Sequence, residues 1–273
     1  MMRYLALSTH PLPALAVSAI TVILGFGVGL EPWRLVLLGI AMLANQASVG
    51  LSNDWLDAER DRAVGRTDKP VALGLVSARA VRIAAFVTAA IAIVLTTPLG
   101  VAATAIHAIF IVSAWGYNLG LKSTPFSVVP YVVSFGLLPL LVTLSRAEPA
   151  LASGWALGAG ALLGICAHIA NVLPDLEDDR ATGVRGLPHR LGSRTSGVLI
   201  AATLAGAAAC VVLGIGGGGA LQLVGLGLSI LLAIACATLV VTDRAPRLVF
   251  RLIIAAAVVD VVLLALAGPR LIV

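Results

Sequence analysis

The chain has 273 residues, of which 60% are hydrophobic and only 11% charged; its mean hydropathy is +1.06, its net charge +5 and its pI near 9.6. Soluble domains are about 25% charged, and a fold of this size cannot hide so much apolar surface from water. Disorder needs low hydrophobicity and high net charge, so it is excluded too, and the continuous apolar runs lack the alternation of a transmembrane barrel.

A helix needs about 20 mostly apolar residues to cross a bilayer core. Nine stretches qualify in chain order: 11–30, 33–52, 80–97, 100–117, 125–144, 152–173, 195–215, 220–241 and 248–266. The first lacks a small-residue cleavage pattern and eight more follow, so it is expected to be retained rather than removed as a signal peptide. Residues 98–100 and the glycine run 216–219 mark tight reversals between neighbouring spans. Cys166, Cys210 and Cys236 lie inside apolar runs without metal-binding spacing and read as small hydrophobes. The expected fold is an all-α integral-membrane bundle of nine transmembrane helices around a central cavity, one domain over residues 1–273.

Lysine and arginine collect in cytoplasmic loops. With a cytoplasmic N-terminus, only Arg34, Arg146 and Arg270 fall outside, and the other 15 of the 18 basic residues fall inside. This asymmetry supports a multi-pass protein of the cytoplasmic membrane and explains the basic pI without a nucleic-acid partner.

Nine of the 13 acidic residues sit in two segments on that inner side. NDWLDAERDRAVG from Asn53 and NVLPDLEDDRATG from Asn171 share N-x-x-x-D-x-E-x-D-R-A-x-G at an offset of 118 residues, which predicts two pseudo-repeated halves. Asn53, Asp57 and Asp61 are spaced i, i+4, i+8, as are Asn171, Asp175 and Asp179, so each set is expected on one helical face. Carboxylates one turn apart repel unless a cation lies between them. Carboxylate and amide oxygens suit Mg²⁺, which takes one or two carboxylates and completes its shell with water and substrate phosphates. Asp57, Asp61, Asp175 and Asp179 are therefore the candidate catalytic acids, and with Asn53, Asp54 and Asn171 the candidate metal ligands. Each segment is charge-balanced, with five acids and five bases in 54–79 and four of each in 174–195, as binding both metal and phosphate requires. Arg62, Arg66, Lys69, Arg180 and Arg185 are candidate diphosphate contacts, arginine for its bidentate geometry. Polar residues within spans are functional candidates; Asn45 and Gln46 in span two and His168 in span six are expected to line the cavity.

These motifs resemble those of the UbiA-type membrane prenyltransferases, and the resemblance covers nearly the whole chain. It rests on Asn53, Asp57 and Asp61, on Asn171, Asp175 and Asp179 with the following Gly183 and Leu187-Pro188, and on the string GRTDKP at 65–70. The segment YNLGLK, from Tyr117 to Lys122, is similar to the family's Tyr and Lys that help hold the diphosphate. The resemblance implies Mg²⁺-dependent transfer of an isoprenyl group from an isoprenyl diphosphate to a lipophilic acceptor through an allylic cation, with membrane lipid as surroundings. Members that use an aromatic acid carry a basic residue near span one; here that stretch offers only His10, so the resemblance does not extend to such an acceptor. A terpene cyclase of the same superfamily would share the motifs. A secondary transporter would place charges near mid-bilayer rather than in these terminal clusters.

Overall fold

A computed structural model describes residues 1–173, 176, 179, 183–217, 219–242 and 246–273. The helices are α1 (Met2–Leu7), α2 (Pro11–Gly27), α3 (Pro32–Leu56), α4 (Ala58–Ala63), α5 (Ala78–Thr96), α6 (Val101–Leu119), α7 (Val129–Leu144), α8 (Gly154–Val172), α9 (Leu187–Gly214), α10 (Ala220–Val241) and α11 (Pro246–Leu266). Among the described residues the only β pairing is an isolated antiparallel bridge, Ala152 to Ile272, which clips the C-terminus onto the α7–α8 loop.

Local chemistry sets many of these boundaries. Proline opens α2, α3, α7 and α9, where its missing N–H removes nothing from the helix and its fixed φ suits the first turn. Ser77 caps α5 by accepting the Ala80 N–H at 3.2 Å. A 3₁₀ turn, Thr97–Leu99, followed by Gly100 separates α5 from α6, at the expected Pro-Gly reversal. Gly192, at φ 75, breaks α9 after its first turn and a half, so the segment beginning at Leu187 is a short end-piece before the expected span from 195.

The long helices pack in chain order, each against the next, and α11 returns to α2, so the bundle closes on itself. Small residues allow close approach, the usual basis of helix association in a bilayer. Gly160 and Gly164 of α8 lie against the carbonyls of Phe135 and Tyr131 in α7, where a Cβ would collide. The outer surface is apolar: Leu12, Phe26, Val101, Val112 and Leu213 are each more than 70% exposed, which fits lipid and not water. Among the described residues six helices are long and apolar enough to cross a membrane, and 11–27, 129–144 and 252–266 are shorter apolar helices. The fold is thus an all-helical, multi-pass membrane bundle.

Candidate functional site

The expected helical face at Asn53, Asp57 and Asp61 is modified by the structure. α3 ends at Leu56 and the chain turns at Asp57 before α4. The i→i−4 ladder nevertheless continues, with Asp57 N–H to Asn53 O at 2.9 Å and Asp61 N–H to Asp57 O at 2.8 Å. Asp57 and Asp61 are therefore both buried at one end of the bundle, 6% and 5% exposed.

A buried carboxylate persists only with partners, and Asp57 has three. The Lys122 ammonium contacts both of its oxygens, Oδ2 at 2.6 Å, Arg60 donates to Oδ2 at 2.9 Å, and the Asn53 amide donates to the same oxygen at 3.0 Å. Lys122 lies on the 3₁₀ turn Leu121–Ser123 just beyond α6, and burial draws its pKa down while Asp57 opposes that shift. Asp54, 1% exposed, forms a second centre: Lys69 donates to its Oδ1 at 2.6 Å and to Asn53 Oδ1 at 3.1 Å, and His10 Nε2 lies 2.8 Å from the same Asp54 oxygen and 3.0 Å from Lys69 Nζ. His10 reaches it from a left-handed backbone, φ 53, the only positive φ among the described non-glycine residues.

Asp61 differs from its neighbours. Its closest ion pair is with Arg60 at 3.7 Å, and no described group hydrogen-bonds its carboxylate. Burial raises its pKa above the ordinary carboxylate value, Asp57 adds to that, and Lys69, Arg60 and Arg66 oppose it. A buried carboxylate beside a second one is a setting in which a hard cation can bind. Among the described residues no three of His, Cys, Asp and Glu converge on one point.

In the second segment Asn171 is exposed and Asp179 half-buried, with His189 Nε2 at 3.4 Å from Asp179. Asp175 and Arg180 lie outside the described residues. Gly186, three residues before the His189 that faces Asp179, lies flush against the Lys122 carbonyl, so the turn that holds Asp57 touches the start of α9. Tyr117 lies near the end of α6. Its ring packs edge-on to Tyr131 at 5.3 Å and to His168 at 5.8 Å.

The remaining expected residues divide. Lys69 and Lys122 reach the acids. Arg62 is exposed and donates to the Val71 carbonyl at 3.4 Å, Arg66 grips Asp68 with bonds of 2.8 and 2.9 Å, and Arg185 is exposed. The Arg66 hydrogen bonds hold Asp68 below its usual pKa. Asn45 is fully buried without a hydrogen-bond partner, Gln46 is half-buried over the Met42 sulfur, and His168 bonds Ser127 at 3.0 Å. Arg60, His10, Asn118, Ser127, Tyr131 and His189 were not singled out as site residues by the sequence. Asn118 ties α6 to α3 through the Val49 carbonyl at 3.0 Å and Ser52 Oγ at 2.8 Å. Arg60 had a visible signal, lying three residues after Asp57, and Asn118 falls within the segment YNLGLK.

The UbiA prenyltransferase family matches residues 12–269 of this chain. The chain belongs to the UbiA prenyltransferase family. Among curated relatives, a digeranylgeranylglyceryl phosphate synthase of Natronomonas pharaonis is 30% identical over 200 residues, 68% of each chain. Another, of Methanopyrus kandleri, is 33% identical over 143 residues, about half (51%) of the length of each. The UbiA fold is shared with a homologue from Aeropyrum pernix K1, at TM-score 0.71 and 20% identity over 92% of this chain and 95% of that one. It is also shared with a homologue from Archaeoglobus fulgidus solved with GPP and Mg²⁺, at TM-score 0.74 and 14% identity over 96% and 99%.

Proposed function

We propose that this protein is an integral-membrane prenyltransferase that moves an isoprenyl group from an isoprenyl diphosphate to a lipophilic acceptor. The observation that carries this reading is the Gly186 backbone flush against the Lys122 carbonyl: Lys122 holds Asp57 at 2.6 Å, and His189, three residues after Gly186, lies 3.4 Å from Asp179. Family membership and an Archaeoglobus homologue that binds GPP and Mg²⁺ support it. The relatives that make a phosphorylated glyceryl lipid favour a lipid acceptor. We read residues 1–273 as one domain with nine crossings of the cytoplasmic membrane and the site on the cytoplasmic side, where 15 of the 18 basic residues fall.

In this reading Asp57 and Asp61, with Asp175 and Asp179 from the second copy, supply carboxylates for Mg²⁺, and Asn53 and Asn171 supply amide oxygens. Mg²⁺, when bound there, would neutralise charge developing on the leaving diphosphate. Lys69, Lys122, Arg60 and the Tyr117 hydroxyl are the chain's own donors to the diphosphate oxygens, with Arg62, Arg66, Arg180 and Arg185 available from the flanking segments. Asp54 anchors Lys69 and His10 rather than pointing to open space. The bond from C1 of the isoprenyl chain to oxygen breaks with its electron pair leaving on diphosphate, the acceptor's nucleophilic atom bonds to C1, and the acceptor loses a proton. The apolar interior houses the isoprenoid tail and keeps water from the cation.

Detergent-solubilised protein incubated with radiolabelled isoprenyl diphosphates of several lengths, Mg²⁺ and a total lipid extract should release diphosphate and label a lipid. Label appearing in a hydrocarbon or alcohol without any acceptor would assign a cyclase instead. Labelled diphosphate sequestered but not cleaved would overturn the enzymatic reading.

A further inference from the structure

The two acidic elements come from opposite halves of the chain, and a single fully buried hydroxyl joins them. Ser127, between the Leu121–Ser123 turn and α7, accepts the backbone N–H of Leu187 at 2.8 Å and is hydrogen-bonded to His168 Nε2 at 3.0 Å. Leu187 is the first residue of α9, and its N-cap, Gly186, has no side chain with which to satisfy that helix end. Ser127 does so from another part of the fold. Gly186 cannot be larger, because a Cβ there would strike the Lys122 carbonyl and the Ser127 side chain.

Site groups lie on both sides of this contact. Five residues before Ser127, Lys122 grips Asp57. Three residues before Leu187, the Val184 N–H donates to the Asp179 carbonyl at 2.9 Å, and two residues after Leu187, His189 lies against the Asp179 carboxylate. A continuous strut therefore runs from Asp57 through Lys122, Ser127 and Leu187 to Asp179. His168 braces Ser127 from behind, with its ring against Tyr131 at 5.0 Å.

We propose that Ser127, braced by His168, is a positioning residue that sets the spacing between the Asp57 and Asp179 carboxylates for a diphosphate held between them. The inference rests on the function proposed above. Removing the hydroxyl strands the Leu187 N–H and the His168 nitrogen in a dry interior and lets the second acidic segment shift away from the Lys122 turn.

The test measures binding of inorganic pyrophosphate with Mg²⁺ to the full chain in detergent, by calorimetry and by ligand-induced rise in Tm. Ser127→Ala is expected to weaken that binding about 3- to 10-fold, the scale of one lost hydrogen bond. Ser127→Thr, which keeps the hydroxyl, is the rescue control and should bind pyrophosphate as the parent does. The ligand-free Tm of Ser127→Ala, measured beside it, reports any general loss of fold. Unchanged affinity in Ser127→Ala, or equal weakening in Ser127→Ala and Ser127→Thr, would overturn the strut. Asp57→Asn measured alongside separates the two claims. If it too binds as the parent does, the diphosphate site is misplaced; if it alone loses binding, only the strut is wrong.

Discussion

Asn53, Asp57 and Asp61 sit in a buried network with Lys122, Lys69 and Arg60, whereas Asn171 is exposed and Asp179, half-buried, lies against a histidine. The same letters thus occupy two electrostatic settings. Desolvating a carboxylate costs several kcal/mol unless cations accompany it, and the first copy recruits them from three places: the N-terminal turn at His10, the loop at Lys69 and the turn at Lys122. The described residues of the second copy, Asn171 and Asp179, are the more exposed. On the function proposed above, the first copy would work as a preformed anchor, with charges fixed before any ligand arrives, and the second as the adjustable side of the site.

Variants can break this contrast. The largest effect is expected for Asp57→Asn, which removes the hub of the first network; turnover should fall about 10³-fold, near the upper end for losing one electrostatic contact to a developing charge. Next, Lys69→Met leaves Asp54 buried with only His10, and breaking a buried pair from one side should cost about 3 kcal/mol of stability, read as a lower Tm in detergent. Asp179→Asn should reduce turnover about 10²-fold, less than Asp57→Asn, because its carboxylate is half-buried and so better screened by water than that of Asp57. Asp68→Asn should change stability by less than about 0.5 kcal/mol and leave turnover unchanged, since the Arg66–Asp68 pair is largely exposed and screened. Equal losses from Asp57→Asn and Asp179→Asn would erase the distinction between anchor and adjustable side.

Much of this arrangement was legible in the sequence because its signals are local. Apolar runs of bilayer length located the helices, and the N-x-x-x-D-x-x-x-D spacing survived as a hydrogen-bond ladder even where α3 gives way to α4 at Asp57. The partners of the acids were harder to read because their contacts are distant in sequence: 44 residues separate His10 from Asp54, 59 separate it from Lys69, and 65 separate Asp57 from Lys122. No periodicity encodes such pairs. The resemblance supplied Lys122; nothing supplied Ser127, whose role depends on a glycine 59 residues away lying flush against it. The contacts of Arg62 with Val71 and of Arg66 with Asp68 were likewise not marked by their position beside the motif. Asp260, 1% exposed, lies within α11 in the second half.

The central claim is that both acidic elements grip one diphosphate. It is tested most directly by a double-mutant cycle of Asp57→Glu and Asp179→Glu, longer carboxylates that leave measurable turnover, read as Mg²⁺-dependent diphosphate release from an isoprenyl diphosphate. Contacts that share one ligand are coupled, so the double variant is expected to be little worse than the worse single variant. Losses that simply multiply, or no loss in either single variant, would contradict the account.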